Sequence, residues 1–261
     1  DQLIAERTDG VTLFIEETVQ AIVQSQALEG TPGAYRSTAE IRTLRVPPTI
    51  QSVIAARIDR LSKEERWLLQ NAAIVGREVS LTIMALVAGL DDAATAEGLN
   101  KLQDAGFLYE VQLVPSQVFL FKHALVHKVA YESIVSADRR LLHARLVETV
   151  EKQSPHIIDD YVEKLSEHAV NAELWEKAEQ YLLRSAVRAL QRSSHNLALW
   201  FADQGLGILA KRAKSPERDR VELEYQKLKG VAWMAAKGWG ASEVSAAYER
   251  AEALCEELRD E

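Results

Sequence analysis

The chain has 261 residues, 47% hydrophobic and 27% charged, with 12 Gly and 6 Pro, so it can build two or three buried cores and is not disordered or low-complexity by composition. Its 31 Lys plus Arg against 39 Asp plus Glu give a net charge of -8, which works against nucleic acid or an anionic membrane as a constitutive partner. The single cysteine, Cys255, closes no intrachain disulfide and builds no thiolate metal site, and no apolar run reaches the ~18 residues of a membrane span; a mainly α, cytoplasmic protein is expected.

The sequence opens at Asp1 in mid-pattern, with no initiator Met and no signal-like apolar core, which reads as a piece of a longer protein. Leu13, Phe14, Thr18, Val19, Ile22 and Val23 recur at helical spacing and predict an amphipathic helix from Leu13 to Val23, closing near the turn-prone Gly30-Thr31-Pro32-Gly33. A loop follows from Ala34, with an extended piece at Ile41 to Val46 before Pro47-Pro48, which exclude helix before them. Thr49 then caps a helix whose apolar face is Ile50, Val53, Ile54, Ile58 and Leu61, with Arg57, Asp59 and Arg60 on its polar side.

Ser62-Lys63-Glu64-Glu65 has the pattern of a capping box and opens a helix through Trp67 to Val75, ended by Gly76. A short helix from Leu81 to Val87 and another from Ala93 to Ala105 follow, the latter opened by Asp91-Asp92 and stopped by Gly106. Two β-rich runs, Phe107 to Val114 and Gln117 to Phe121, are joined at Pro115-Ser116. Three short helices and a hairpin make a winged helix. Helical periodicity resumes from His123 to Ser136 and from Arg139 to Lys152, with Leu125, Val129, Leu142, Leu146 and Val150 as core positions.

Beyond Pro155 the sequence reads as helix upon helix. The stretch holding Ala198, Ala202, Gly205 and Leu206 matches the one holding Val244, Tyr248, Ala251 and Glu252. Small residues recur where helices approach closely, as in helical repeats of tetratricopeptide-like type, with an insertion around Lys211 to Arg218. Gly205-Leu206-Gly207-Ile208-Leu209-Ala210 has the letters of a dinucleotide fingerprint but lies inside a helical pattern, so it is read as helix packing.

Three blocks together resemble the signal-transduction ATPases with numerous domains, in the form found in adenylate cyclase-like and transcriptional-activator proteins. They are Arg7-Thr8-Asp9-Gly10-Val11-Thr12-Leu13-Phe14-Ile15-Glu16-Glu17, the run from Val46-Pro47-Pro48-Thr49 to Ala55-Ala56-Arg57-Ile58-Asp59-Arg60-Leu61, and Phe121-Lys122-His123-Ala124-Leu125-Val126-His127-Lys128-Val129-Ala130-Tyr131. The resemblance covers about the first 150 residues. It implies a helical lid remnant at 1–61, a winged helix at 62–136 and a helical repeat domain at 137–261, with the P-loop core lying before this chain. No Gly-x-x-x-x-Gly-Lys-Ser/Thr occurs here, so no catalysis and no cofactor are expected of the chain itself, and ADP or ATP belongs to the parent protein.

The resemblance also implies site residues. In the family a His in a Met-His-Asp pattern contacts the diphosphate of ADP; here the triplet is Lys122-His123-Ala124, and only His123 carries over. The alternative for His123 is a partly buried helix-start histidine bonded to backbone. Gly10-Val11-Thr12-Leu13 resembles the family's Gly-x-Pro-Leu turn against adenine, with Thr12 replacing the proline, so Gly10, Thr12 and Leu13 are candidate nucleotide contacts; a plain helix start is the alternative. His123 and His127 have the i, i+4 spacing of two metal ligands, but Ala124 stands where a base would be needed, and no metal is expected. Tyr131, Arg139, Arg140 and His143 could touch phosphate, though a solvated helix face explains them more simply.

A winged helix often reads DNA through its third helix. Here that helix carries Asp91, Asp92, Glu97 and Asp104 against Lys101 alone, which repels phosphate. A protein partner or small ligand on the repeats is expected instead of nucleic acid or membrane. Of Trp175, Trp200, Trp233 and Trp239, the last, between Gly238 and Gly240, is the expected exposed partner-binding residue. The sequence therefore points to a non-catalytic regulatory fragment, coupling sensing by helical repeats to a nucleotide switch outside the chain; the alternative is a winged-helix DNA-binding transcriptional regulator with a partner-binding repeat domain.

Overall fold

The computed structural model describes residues 12, 14–17, 19, 28–29, 36–37, 49–112 and 117–259. The chain is mainly helical and divides into two compact units, Asp1–Arg139 and Arg140–Glu261. Gly10, Leu13, most of the expected helix to Val23, the extended piece at 41–46 and the Pro115-Ser116 turn lie outside the described residues; residues 12, 14–17 and 19 are helical.

In the first unit a two-residue pair, β1 (Leu28–Glu29) with β2 (Arg36–Ser37), precedes α1 (Ile50–Asp59). Thr49 caps α1, its Oγ1 accepting from the Ser52 amide at 3.2 Å. Val53, Ile54 and Ile58 are buried as the apolar periodicity requires. Arg57 is not on a solvated side: it is 1% exposed and among the largest fully buried side chains of the protein. The helical spacing that placed it outward is overruled by a tertiary partner, described below.

The capping box closes as expected on α2 (Lys63–Val75): Ser62 Oγ accepts from the Glu65 amide at 3.1 Å, and Glu65 Oε2 accepts from the Ser62 amide at 3.0 Å. Gly76, with φ of 130°, takes the chain out of the helix where a side chain would be strained. A strand unforeseen in the sequence, β3 (Glu78–Ser80), comes next, then α3 (Leu81–Ala88) and α4 (Asp92–Asp104), the last capped by Asp91 on the Ala94 amide at 2.7 Å. β4 (Leu108–Gln112) and β5 (Gln117–Phe121) complete an antiparallel sheet in the order β3-β5-β4. Val79 pairs with Phe119, and Glu110 pairs with Phe119 from the other side. Helix, strand, two helices and a hairpin with that strand order is the winged-helix arrangement, three-stranded where a two-stranded wing was expected. α5 (Ala124–Glu132) packs on α1 and α2.

The unit boundary falls within α6 (Ser136–Gln153). Val129, Leu146 and Val150 are core residues as expected, but Leu125 and Leu142 are only half-buried, and Val126, Val147 and His143 take the interior places. A 3-10 turn (Pro155–Ile157) leads to α7 (Ile158–Asn171), α8 (Trp175–Gln191), α9 (His195–Leu209), α10 (Pro216–Lys237) and α11 (Ser242–Glu257). Each packs on the next, the short turns folding consecutive helices back on one another. Glu173 and Ser193, in the turns after α7 and α8, adopt φ of 56° and 57°, the left-handed residue that ends a helix sharply.

Two glycines sit where neighbouring helices approach closely. A Cβ at Gly205 of α9 would overlap the ring of Tyr225 of α10, and one at Gly230 of α10 would lie 2.7 Å from the ring of Tyr248 of α11. Gly205 is thus an interhelical contact rather than part of a nucleotide turn. Tyr225 is fully buried, donates to the Glu179 carbonyl at 2.6 Å and spans α8, α9 and α10.

Candidate functional site

The candidate site forms where β5 runs into α5. The Phe121 amide donates to the Arg77 carbonyl at 3.2 Å and the Lys122 amide to the Phe107 carbonyl at 3.0 Å, so the strand end is fixed by backbone alone. His123 occupies the N-cap of α5 with an extended backbone and makes no side-chain capping bond. Its imidazole is therefore free of the local bond that usually ties down a residue at this position.

Both side chains of this step turn to one carboxylate. Lys122 Nζ donates to Glu16 Oε1, and His123 Nε2 lies 3.5 Å from Glu16 Oε2. The Lys122 hydrogen bond, helped by the charges of Lys122 and His123 and opposed by partial burial, holds the Glu16 carboxyl below its ordinary range. The next residue along, Glu17, is 1% exposed and pairs with Arg57 Nη1. Arg57 also donates from Nη2 to the Ala105 carbonyl at 2.7 Å and lies over the Phe107 ring at 4.6 Å. Two adjacent glutamates thus join the N-terminal helical residues to α1, to the end of α4 and to the strand-helix junction. Buried ion pairs hold only when their remaining donors are satisfied, and Arg57 meets that condition through the Ala105 carbonyl.

The sequence-predicted residues fall out unevenly. His123 is at the site. Thr12 is helical and exposed; Gly10 and Leu13 lie outside the described residues. His127 does not converge with His123: its Nε2 is 3.0 Å from the Ala73 carbonyl and its ring meets Phe121 edge-on at 5.0 Å. Among the described residues no group of three or more His, Cys, Asp or Glu could hold a metal. Arg139 lies over Tyr131 at 5.0 Å, and Arg140 pairs with Glu173 at 2.7 Å. His143 is not on a solvated face but 3% exposed, its Nδ1 3.0 Å from Nδ1 of His168. Sequence reasoning missed Lys122, Glu16, Glu17 and Arg57 as one cluster, although all four lie in the blocks quoted for the family resemblance; pairing across 106 and 40 residues leaves no local periodicity.

In the second unit Trp239 is 82% exposed in its glycine-flanked turn. Trp200 is half-exposed and lines a groove of about 490 Å³ between α7 and α9, with Leu182 of α8 and with Glu163, Glu167 and Val170 of α7. The glycine flanks marked Trp239 in the sequence; Trp200 sits in an ordinary helical pattern and is distinguished only by the groove.

No family model matches the chain. It is 26% identical over 215 residues, 82% of its length, to a protein of Rhizobium meliloti (strain 1021) described as uncharacterized. The chain spans about a fifth of the length of that relative.

Proposed function

We propose that the chain is a non-catalytic regulatory portion of a signal-transduction ATPase. In this reading tetratricopeptide-like helical repeats sense a protein partner or small ligand, and a helical lid and winged helix relay the signal to ADP or ATP held by a P-loop core outside the chain. The supporting observation is the junction at His123: a histidine without a capping bond, beside a lysine, facing the helix that the resemblance reads as lid. A lysine and a histidine at a strand-to-helix junction are suited to a diphosphate, because they add two donors to the positive end of a helix.

The DNA-binding alternative finds less support. On α4, Asp91, Asp92, Glu97 and Asp104 are all exposed, and Lys101 pairs with Glu97 at 2.8 Å, so the one base of the helix offers little to a phosphate backbone. Among the described residues no helix is long and apolar enough to cross a membrane.

For the sensing half, Trp239→Ala separates a binding role from a packing role. The side chain is 82% exposed, so its loss should move unfolding by no more than about 0.5 kcal/mol. It should weaken ligand capture by on the order of 2 kcal/mol. Thermal unfolding beside a binding titration reads both; a large fall in melting temperature with capture retained removes Trp239 from the sensing surface.

A further inference from the structure

Resting on the reading of Lys122 and His123 as nucleotide contacts, we propose that Glu16 is a built-in competitor for a diphosphate site, its carboxylate occupying the Lys122-His123 pair that a phosphoryl anion must take over. The two oxygens of Glu16 face two different side chains, Oε1 bonded to the Lys122 ammonium and Oε2 lying 3.5 Å from the His123 imidazole. That is how two oxygens of one phosphate engage a paired site. The same step opens α5, a nine-residue helix with no acidic residue in its first turn, so the helix end also favours an anion there.

Glu16 is held at the site by its neighbour. Glu17 is locked to the buried Arg57, which keeps Glu16 tethered beside Lys122 and His123 at a high effective concentration without fixing the Glu16 carboxylate in the interior. Side-chain exposures of 36% for Glu16 and 33% for Lys122 leave these two within reach of a dissolved anion, whereas His123 is 29% exposed with its Nε2 atom buried, so an anion reaches that atom only when Glu16 moves. Displacing Glu16 exchanges one carboxylate for a more highly charged diphosphate and leaves the Glu17-Arg57 anchor in place. Release of the carboxylate therefore couples nucleotide binding to the helix that carries it.

The probe is inorganic pyrophosphate, titrated at low ionic strength, where surface electrostatics are least screened, into the chain, Glu16→Gln, His123→Ala and Glu16→Gln/His123→Ala. Amide NMR spectra report both fold and binding. Glu16→Gln should bind pyrophosphate at least tenfold more tightly than the unaltered chain, and adding His123→Ala should remove the gain. In the unaltered chain, saturating pyrophosphate should bring the Glu16 carboxyl titration, followed by its side-chain carbon, back up toward the ordinary carboxylate range. Equal affinity with and without Glu16, in each case lost with His123→Ala, overturns the competitor role while leaving the anion site. Absence of pyrophosphate binding in every variant, or binding indifferent to His123, overturns both.

Discussion

Arg57→Met is expected to unfold, or nearly unfold, the first unit. The substitution leaves Glu17 buried at 1% exposure without its cation, removes the hydrogen bond to the Ala105 carbonyl and strips the cation from the Phe107 ring. Removing one member of a buried pair costs about 3–5 kcal/mol, a large part of the ~5–15 kcal/mol that holds a domain together. Most of that cost is the stranded carboxylate, so Arg57→Met with Glu17→Met should recover much of it. Hydrogen exchange of the α1, α2 and α5 amides measures the loss in the unit concerned. A single variant within about 1 kcal/mol of the unaltered chain, or a double variant as damaged as the single, would show that the pair does not hold the unit.

Acid should destabilise the second unit well above the pH at which carboxylates are protonated. His168 is 4% exposed; burial first, then the charges of His143 and Lys164, press its imidazole down to about 3. Nδ1 of His143 is 3.0 Å away, the Tyr161 ring stands 6.3 Å off, and burial together with Glu167 keeps that phenol protonated. Because the folded-state value lies below the ordinary histidine value of 6.5, the folded unit keeps His168 neutral while the unfolded chain takes up a proton. The stabilisation from keeping it neutral is therefore complete above pH 6.5 and is lost progressively as pH falls from 6.5 toward about 3. Each pH unit below that onset costs up to about 1.4 kcal/mol. Urea unfolding can be followed by tryptophan fluorescence, since four of the five Trp, at 175, 200, 233 and 239, lie in this unit. Between pH 6.5 and 5 the unaltered chain should lose about 2 kcal/mol more than His168→Leu. Parallel slopes would mean that the pair takes up its proton without cost.

What the sequence disclosed and what it hid follow from range. Caps act within three residues, and Thr49, Ser62 with Glu65 and Asp91 each form the bond that their spacing announces. β5 appears with the limits that its apolar run suggests. β3 was invisible because it has three residues and buries only Val79, too little for a period to register. Arg57 and His143 look like surface residues on their own helices, yet both are interior. Their partners, Glu17 and His168, are 40 and 25 residues away, and only the folded chain brings them together. The same holds for the candidate site: His123 could be named from its motif, whereas the carboxylate that faces it lies 106 residues before Lys122. Gly205 was read correctly because its helical context is local, although the Tyr225 ring that requires it is not.

The affinity of a longer protein carrying this chain for ADP bears on the proposed nucleotide switch with the fewest intermediate steps. A charge-assisted hydrogen bond to the diphosphate contributes about 1.5–3 kcal/mol. His123→Ala is therefore expected to raise the ADP dissociation constant by about tenfold to a hundredfold and to raise basal output by releasing the resting state. ADP affinity and basal output both unchanged in that variant would contradict the switch and return His123 to a partner of Glu16 alone.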